Sequence, residues 1–166
     1  FATDIAGPIG LQDFDRARQS KTGDADKSRY LAYHFHLSTR DMARLGLLML
    51  RGGEWGGRRI LPAGWSEHIT TLVTPHEDLI PDRRRQLGKG QRWGYGYMWW
   101  VWDALDPEDP MRGAYDARGL FGQRITVIPS KDMVIAHKVD RRYQVTAGQL
   151  RRVRSSQYAE LVRRAL

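Results

Sequence analysis

The chain has 166 residues, 41% of them apolar and 28% charged, with no cysteine and a formal net charge of +8. That composition excludes a disordered polymer, a collagen repeat and a disulfide-stapled scaffold. A domain of this length buries roughly two thirds of the surface its unfolded chain exposes, so a single core needs no metal or disulfide staple.

The longest apolar runs, 45–50 and 97–102, fall far short of the ~20 residues that cross a bilayer, and no transmembrane segment is expected. The chain opens Phe1-Ala2-Thr3-Asp4, with neither an initiator Met nor a basic-then-apolar leader, which reads as the interior of a longer polypeptide. Lack of cysteine removes disulfides and thiol catalysis without fixing a compartment.

Residues 1–30 carry turn chemistry (Gly7-Pro8, Gly10) and then a polar stretch, and read as an extended arm and loop. The alternation Tyr33-His34-Phe35-His36-Leu37 predicts an extended segment whose Tyr33, Phe35 and Leu37 side packs inward. Ser38-Thr39-Arg40-Asp41 resembles a capping box with Asp in place of Glu, so a helix starts there. Met42, Leu45, Leu48 and Met49 form its apolar face, and Arg51-Gly52-Gly53 ends it. A glycine-rich connection leads to Pro62, which opens a second helix through about Leu72.

Residues 74–92, with Pro75, Pro81, Gly88 and Gly90, read as an exposed loop. The aromatic run from Gly94 to Trp102 predicts one strand whose glycines allow a bulge or close backbone approach. Ile125 to Ile128 and Met133 to Ala136, joined by Pro129-Ser130-Lys131-Asp132, predict a β-hairpin. Residues 147–166 place Leu150, Val153, Tyr158, Leu161, Val162 and Leu166 near one helical stripe. The expected class is α+β: an antiparallel sheet covered by a C-terminal helix and preceded by a helical segment. The segments are 1–75 (arm, loop and two helices), 76–92 (loop) and 93–166 (strands and final helix).

From Lys138 to Leu166 eight basic residues face two acidic ones, which leaves six of the eight net charges in the tail. Such a tail attracts anionic partners. Its amphipathic pattern favours a solvated helix face over specific nucleic-acid binding.

The nucleophile search is negative. No serine has a lysine three residues on, so the S-x-x-K pairing of hydroxyl and amine is missing, and there is no G-x-S-x-G elbow. The chain has no asparagine, which eliminates Y-x-N and S-D-N elements. Lys21-Thr22-Gly23 spells a penicillin-recognising triplet but sits in loop-like composition, and is read as coincidence. His34 and His36 share one side of an extended segment, yet no further ligand completes a tetrahedral site.

Several words of the sequence occur in a telling order: Pro8-Ile9-Gly10-Leu11-Gln12-Asp13, then 33–46, then Gly52 through Pro62. Trp93-Gly94-Tyr95-Gly96-Tyr97-Met98-Trp99-Trp100, Ala117-Arg118-Gly119-Leu120-Phe121-Gly122-Gln123 and Val127-Ile128-Pro129 follow. Their order and spacing resemble the serine β-lactamase-like hydrolases, which include class C β-lactamases, DD-peptidases, esterases and 6-aminohexanoate-dimer hydrolase-type amidases. In that family these words belong to the C-terminal half, after the S-x-x-K helix.

The resemblance therefore implies the C-terminal half of a β-lactamase/transpeptidase-like fold. It also implies an acyl-enzyme reaction on an ester, amide or β-lactam-like small molecule. The nucleophile and base would lie outside this chain, which alone would be inactive. No cofactor or metal is implied. By position the family's third motif maps to Ala117-Arg118-Gly119, and the N–H of Leu120 would share the oxyanion hole with that of the absent serine. Glycine at 119 would let substrate lie along the strand edge. Arg118 either supplies the cation that lysine gives elsewhere or points away as a surface arginine. Ala at the first motif position favours an esterase, amidase or peptidase-like substrate. A lone fragment is expected to expose Trp99, Trp100 and Phe121 and to self-associate. The alternative is a noncatalytic module that uses its basic C-terminal helix on anionic partners.

Overall fold

The computed structural model describes residues 1–139 and 153–166. Its centre is a five-stranded antiparallel sheet made of β5 (Trp93–Tyr95), β6 (Trp100–Trp102), β7 (Tyr115–Arg118), β8 (Arg124–Ile128) and β9 (Met133–His137), in that spatial order. Sequential neighbours pair throughout, through short turns at 96–99, 119–123 and 129–132 and a longer connection at 103–114. Thr126, Val127 and Ile128 of β8 are fully enclosed.

Helix α1 (Thr39–Leu50) crosses one face over β8 and β9. Ser38 caps it by accepting the Asp41 N–H at 3.1 Å. Gly46 lets the helix lie close, because a Cβ there would stand 2.5 Å from Val134 and 2.8 Å from Ile125. On this face Met49, Val101, Tyr115 and Val127 form a buried cluster. The opposite face is covered by α4 (Ser155–Ala165), whose Tyr158 and Val162 pack with Trp93, Met111 and Ile128. Period-two alternation along β7 and β8 sends Tyr115 and Val127 to the α1 face and Asp116 and Thr126 to the α4 face. Each large apolar side chain so enclosed contributes about 1.5–3 kcal/mol.

Several expectations change. The arm opens with a helical turn at Ala2–Ala6, and Gln12 and Asp13 are pinned by their N–H groups to the enclosed Asp41 carboxylate at 2.8 and 3.0 Å. Asp41 thus bonds a distant segment and does not close a reciprocal capping box. Tyr33 and Phe35 are exposed and only Leu37 is buried. The second helix, α2 (Trp65–Ile69), is shorter than expected because Gly64 precedes it in the left-handed region. Residues 74–92 contain α3 (Pro81–Leu87), started by Pro81 and docked through buried Leu87. The aromatic run is a hairpin, not one strand: Gly96 donates to the Trp99 carbonyl at 2.8 Å, and Met98 turns the chain at φ +67°. Residues 147–152 of the expected final helix, with Leu150, lie outside the described residues; the helix observed runs Ser155–Ala165.

Two small hairpins lie apart from the main sheet among the described residues, β1 (Ser20–Thr22) with β2 (Ala32–His34) and β3 (Glu54–Trp55) with β4 (Arg58–Arg59). Lys21 and Thr22 therefore lie on a strand after all, but on an exposed two-stranded ribbon separate from the main sheet. Among the described residues no helix is long and apolar enough to cross a membrane.

Candidate functional site: the open edge of the central strand

Strand β7 pairs with β8 over its whole length, from Tyr115↔Val127 to Arg118↔Arg124. With β6 it pairs only at Val101↔Tyr115 and Trp100↔Asp116, because the Gly96–Trp99 turn takes β6 away. From Ala117 onward the β6 side of β7 is open among the described residues. Alternation in an antiparallel ladder decides which backbone groups face that opening. The Gly119 N–H bonds the Gln123 carbonyl on the β8 side at 2.8 Å, and the Ala114 carbonyl accepts from Trp102 on the β6 side at 2.8 Å. The N–H and C=O of Arg118 therefore face the open edge. Leu120 begins a single 3₁₀ turn, Leu120–Gly122, so its N–H has no partner within that turn. It is also among the most exposed large apolar residues, at 75%.

Ala117 and Arg118 are half-buried, and Gly119 and Leu120 exposed. The structure thus brings the four residues to one strand end. It also separates the Arg118 side chain from the open edge. The guanidinium lies on the α4 face between Trp93 and Trp100, 4.8 and 4.6 Å from their ring centres. Nε donates to Asp116 Oδ2 at 2.7 Å. Burial brings its pKa down to about 10, against the opposing pull of Asp116. Arg118 is neither a surface arginine nor a cation offered at the edge. Gly119 also has a local reason to be glycine, since a Cβ would stand 3.0 Å from the Gln123 Cβ.

Sequence reasoning missed the residues behind this strand. Asp116 is fully enclosed and also accepts from Arg124 at 2.6 Å and from Thr126 at 3.0 Å. Thr126 Oγ1 spends its one proton on Asp116, so the Tyr158 hydroxyl, 2.7 Å away, donates to Thr126. Burial raises the Tyr158 pKa to about 12. The usable signal was the i, i+2 spacing of Asp116 with Arg118 and of Arg124 with Thr126, which places all four on one face once the hairpin register is known.

Elsewhere the candidate residues have ordinary partners. His34 Nε2 is 2.5 Å from Thr22 Oγ1 and His36 Nε2 is 3.5 Å from Ser20 Oγ. Among the described residues no three His, Asp or Glu side chains converge as metal ligands. Trp99 is half-buried, its ring edge-on to Tyr115 at 5.3 Å, and Trp100 packs edge-on to Tyr95 at 5.1 Å, so neither is the exposed surface expected of them. In the basic tail, Arg163 and Arg164 both bind Glu160 and hold its carboxyl at about 2.

No family model matches the chain, and no curated protein matches it. Among solved structures it is similar to a Bacillus anthracis protein assigned as a 6-aminohexanoate-dimer hydrolase, with a TM-score of 0.52 and 26% identity. The match covers 81% of this chain and spans 29% of the length of that protein. The chain is a mixed α/β structure with an antiparallel sheet and a C-terminal helix, and its fold is similar to part of a hydrolase of the β-lactamase-like type.

Proposed function

We propose that this chain is the C-terminal part of a serine hydrolase of the β-lactamase-like type, acting through an acyl-enzyme on an ester, amide or β-lactam-like small molecule. The observation that carries the reading is the open edge of β7, with the Leu120 N–H just beyond Gly119, in a fold similar to part of a hydrolase. In this reading the Arg118 N–H and C=O line the substrate along the strand edge. The Leu120 N–H stabilises the oxyanion that develops on the attacked carbonyl, a donor whose loss typically costs about 10²–10³ in kcat. The nucleophile and its base come from residues outside this chain, in keeping with the absence of an S-x-x-K pair.

The test is covalent labelling with a fluorophosphonate probe, followed by mapping of the labelled serine. The longest polypeptide of the source that carries this chain should be labelled at a serine outside residues 1–166 and should hydrolyse p-nitrophenyl esters. The 166-residue chain alone should be neither labelled nor active. A long polypeptide that takes no label and turns over no ester or amide, or labelling of a serine within this chain, overturns the reading.

A further inference from the structure

The Leu120 N–H sits in a loop formed by one 3₁₀ turn and closed by the bond from Gly119 N–H to the Gln123 carbonyl. Two contacts, from His137 at the end of β9 and from Val139 just past it, brace this loop. The Gln123 carboxamide engages both backbone groups of Val139: Nε2 donates to the Val139 carbonyl at 3.3 Å, and Oε1 accepts the Val139 N–H at 3.0 Å. His137 Nδ1 lies 2.9 Å from the Gly122 carbonyl, which can only accept, so the ring donates. The last paired residues of β8 and β9 are Arg124 and His137. The Gln123 side chain therefore stands in for one more peptide group and extends the ladder past its backbone end. The same side chain lies against Gly119, where a Cβ would press on it. Gln123 thus touches the start of the loop, closes its end and ties both to β9.

We infer that Gln123 is a positioning residue for the proposed acyl-transfer site, acting through the Leu120 N–H, which it holds aimed at the open edge of β7. The inference rests on the reading given under Proposed function. Gln123 touches no reacting atom in this scheme. Its effect is on the direction of a donor, where a displacement of about 1 Å costs about 10²-fold in rate.

The experiment uses the longest source polypeptide that carries this chain, with p-nitrophenyl ester hydrolysis and backbone amide exchange as readouts. Gln123→Met keeps the volume and removes both bonds to Val139; kcat should fall about 10²-fold while KM stays within about threefold. Gln123→Glu keeps the acceptor for the Val139 N–H and should recover part of the lost kcat. The Gly119 amide should exchange faster in Gln123→Met while the Val127 amide, in the sheet centre, does not change. An unchanged kcat, an unchanged Gly119 exchange rate, or parallel loss of kcat and KM with no recovery in Gln123→Glu overturns the assignment. If Gln123→Met does not fold, Gln123→Glu carries the test by the same readouts. A wild-type polypeptide without hydrolase activity overturns the functional reading itself, whereas an active wild type indifferent to Gln123→Met overturns only the role of Gln123.

Discussion

Asp116 gives one carboxylate oxygen to two arginines: its Oδ2 accepts from Arg118 at 2.7 Å and from Arg124 at 2.6 Å. The carboxylate is fully enclosed, and one Arg118 nitrogen, Nη2, is buried without a partner among the described residues. Two cations thus depend on one anion between the sheet and α4. Removing that anion leaves both charges in a poorly solvated site, which typically costs about 3–5 kcal/mol. Asp116→Ala should lose that much in urea unfolding. The triple change Asp116→Leu, Arg118→Met, Arg124→Met removes all three charges together and should cost far less than the single one. An Asp116→Ala variant within about 1 kcal/mol of wild type contradicts the dependence.

That cluster also marks where the sequence stopped being legible. Helix α1 was readable to within a residue because its signals are local: Ser38 at the start, Gly52 after the end. The β8–β9 hairpin was readable because Pro129 to Asp132 can only turn. The hairpin in the aromatic run was not, since its turn is made by Met98, a residue type that seldom adopts positive φ. Nor was the direction of Arg118. Period-two alternation gives two faces, and only the pairing of Arg118 with Arg124 and the cover provided by α4 say which one the side chain enters. Asp116 drew no reading from the sequence, because a lone acidic residue carries no sign of its distant partners.

Asp41 is a second charge whose role is set at long range. Its two oxygens receive the N–H groups of Gln12 and Asp13, and the residue is fully enclosed at the start of α1. Asp41→Ala leaves two backbone donors without an acceptor and should destabilise by about 2–3 kcal/mol. Amide exchange at Gln12 and Asp13 should accelerate more than at Val127. Equal protection of residues 12 and 13 in the variant means that the arm is held by something else.

Gly46 sets how closely α1 approaches the sheet. An added methyl would stand 2.5 Å from Val134 Cγ1 and 2.8 Å from Ile125 Cγ2, inside any tolerable carbon contact. Gly46→Ala gains helix propensity of about 1 kcal/mol but forces the helix or both side chains to shift. Overpacking of this kind costs typically about 1–3 kcal/mol, so the variant should melt lower despite the better helix former. Adding Val134→Ala in the same chain should return part of the loss, because it removes the nearest methyl. A Gly46→Ala chain that melts higher than wild type rules out the close approach.

Tyr158 provides a test in pH. Its hydroxyl donates to Thr126 inside the α4 interface, and burial raises its pKa to about 12 from the ordinary value near 10. The fold favours the neutral phenol. The resulting stability is fully present below pH ~10, declines as pH rises between about 10 and about 12, and is gone above. Burial pushes Arg118 in the opposite sense, with its pKa brought down to about 10. Comparing wild type with Tyr158→Phe at each pH removes the contributions of groups that do not touch the phenol and leaves chiefly its own. The stability of wild type relative to Tyr158→Phe should fall by on the order of 2 kcal/mol from pH ~9.5 to ~12, read from urea unfolding of both proteins. A difference that stays flat across that window means the hydroxyl ionises as readily in the folded chain as in the unfolded one, and then the Tyr158–Thr126–Asp116 relay is not what ties α4 to the sheet.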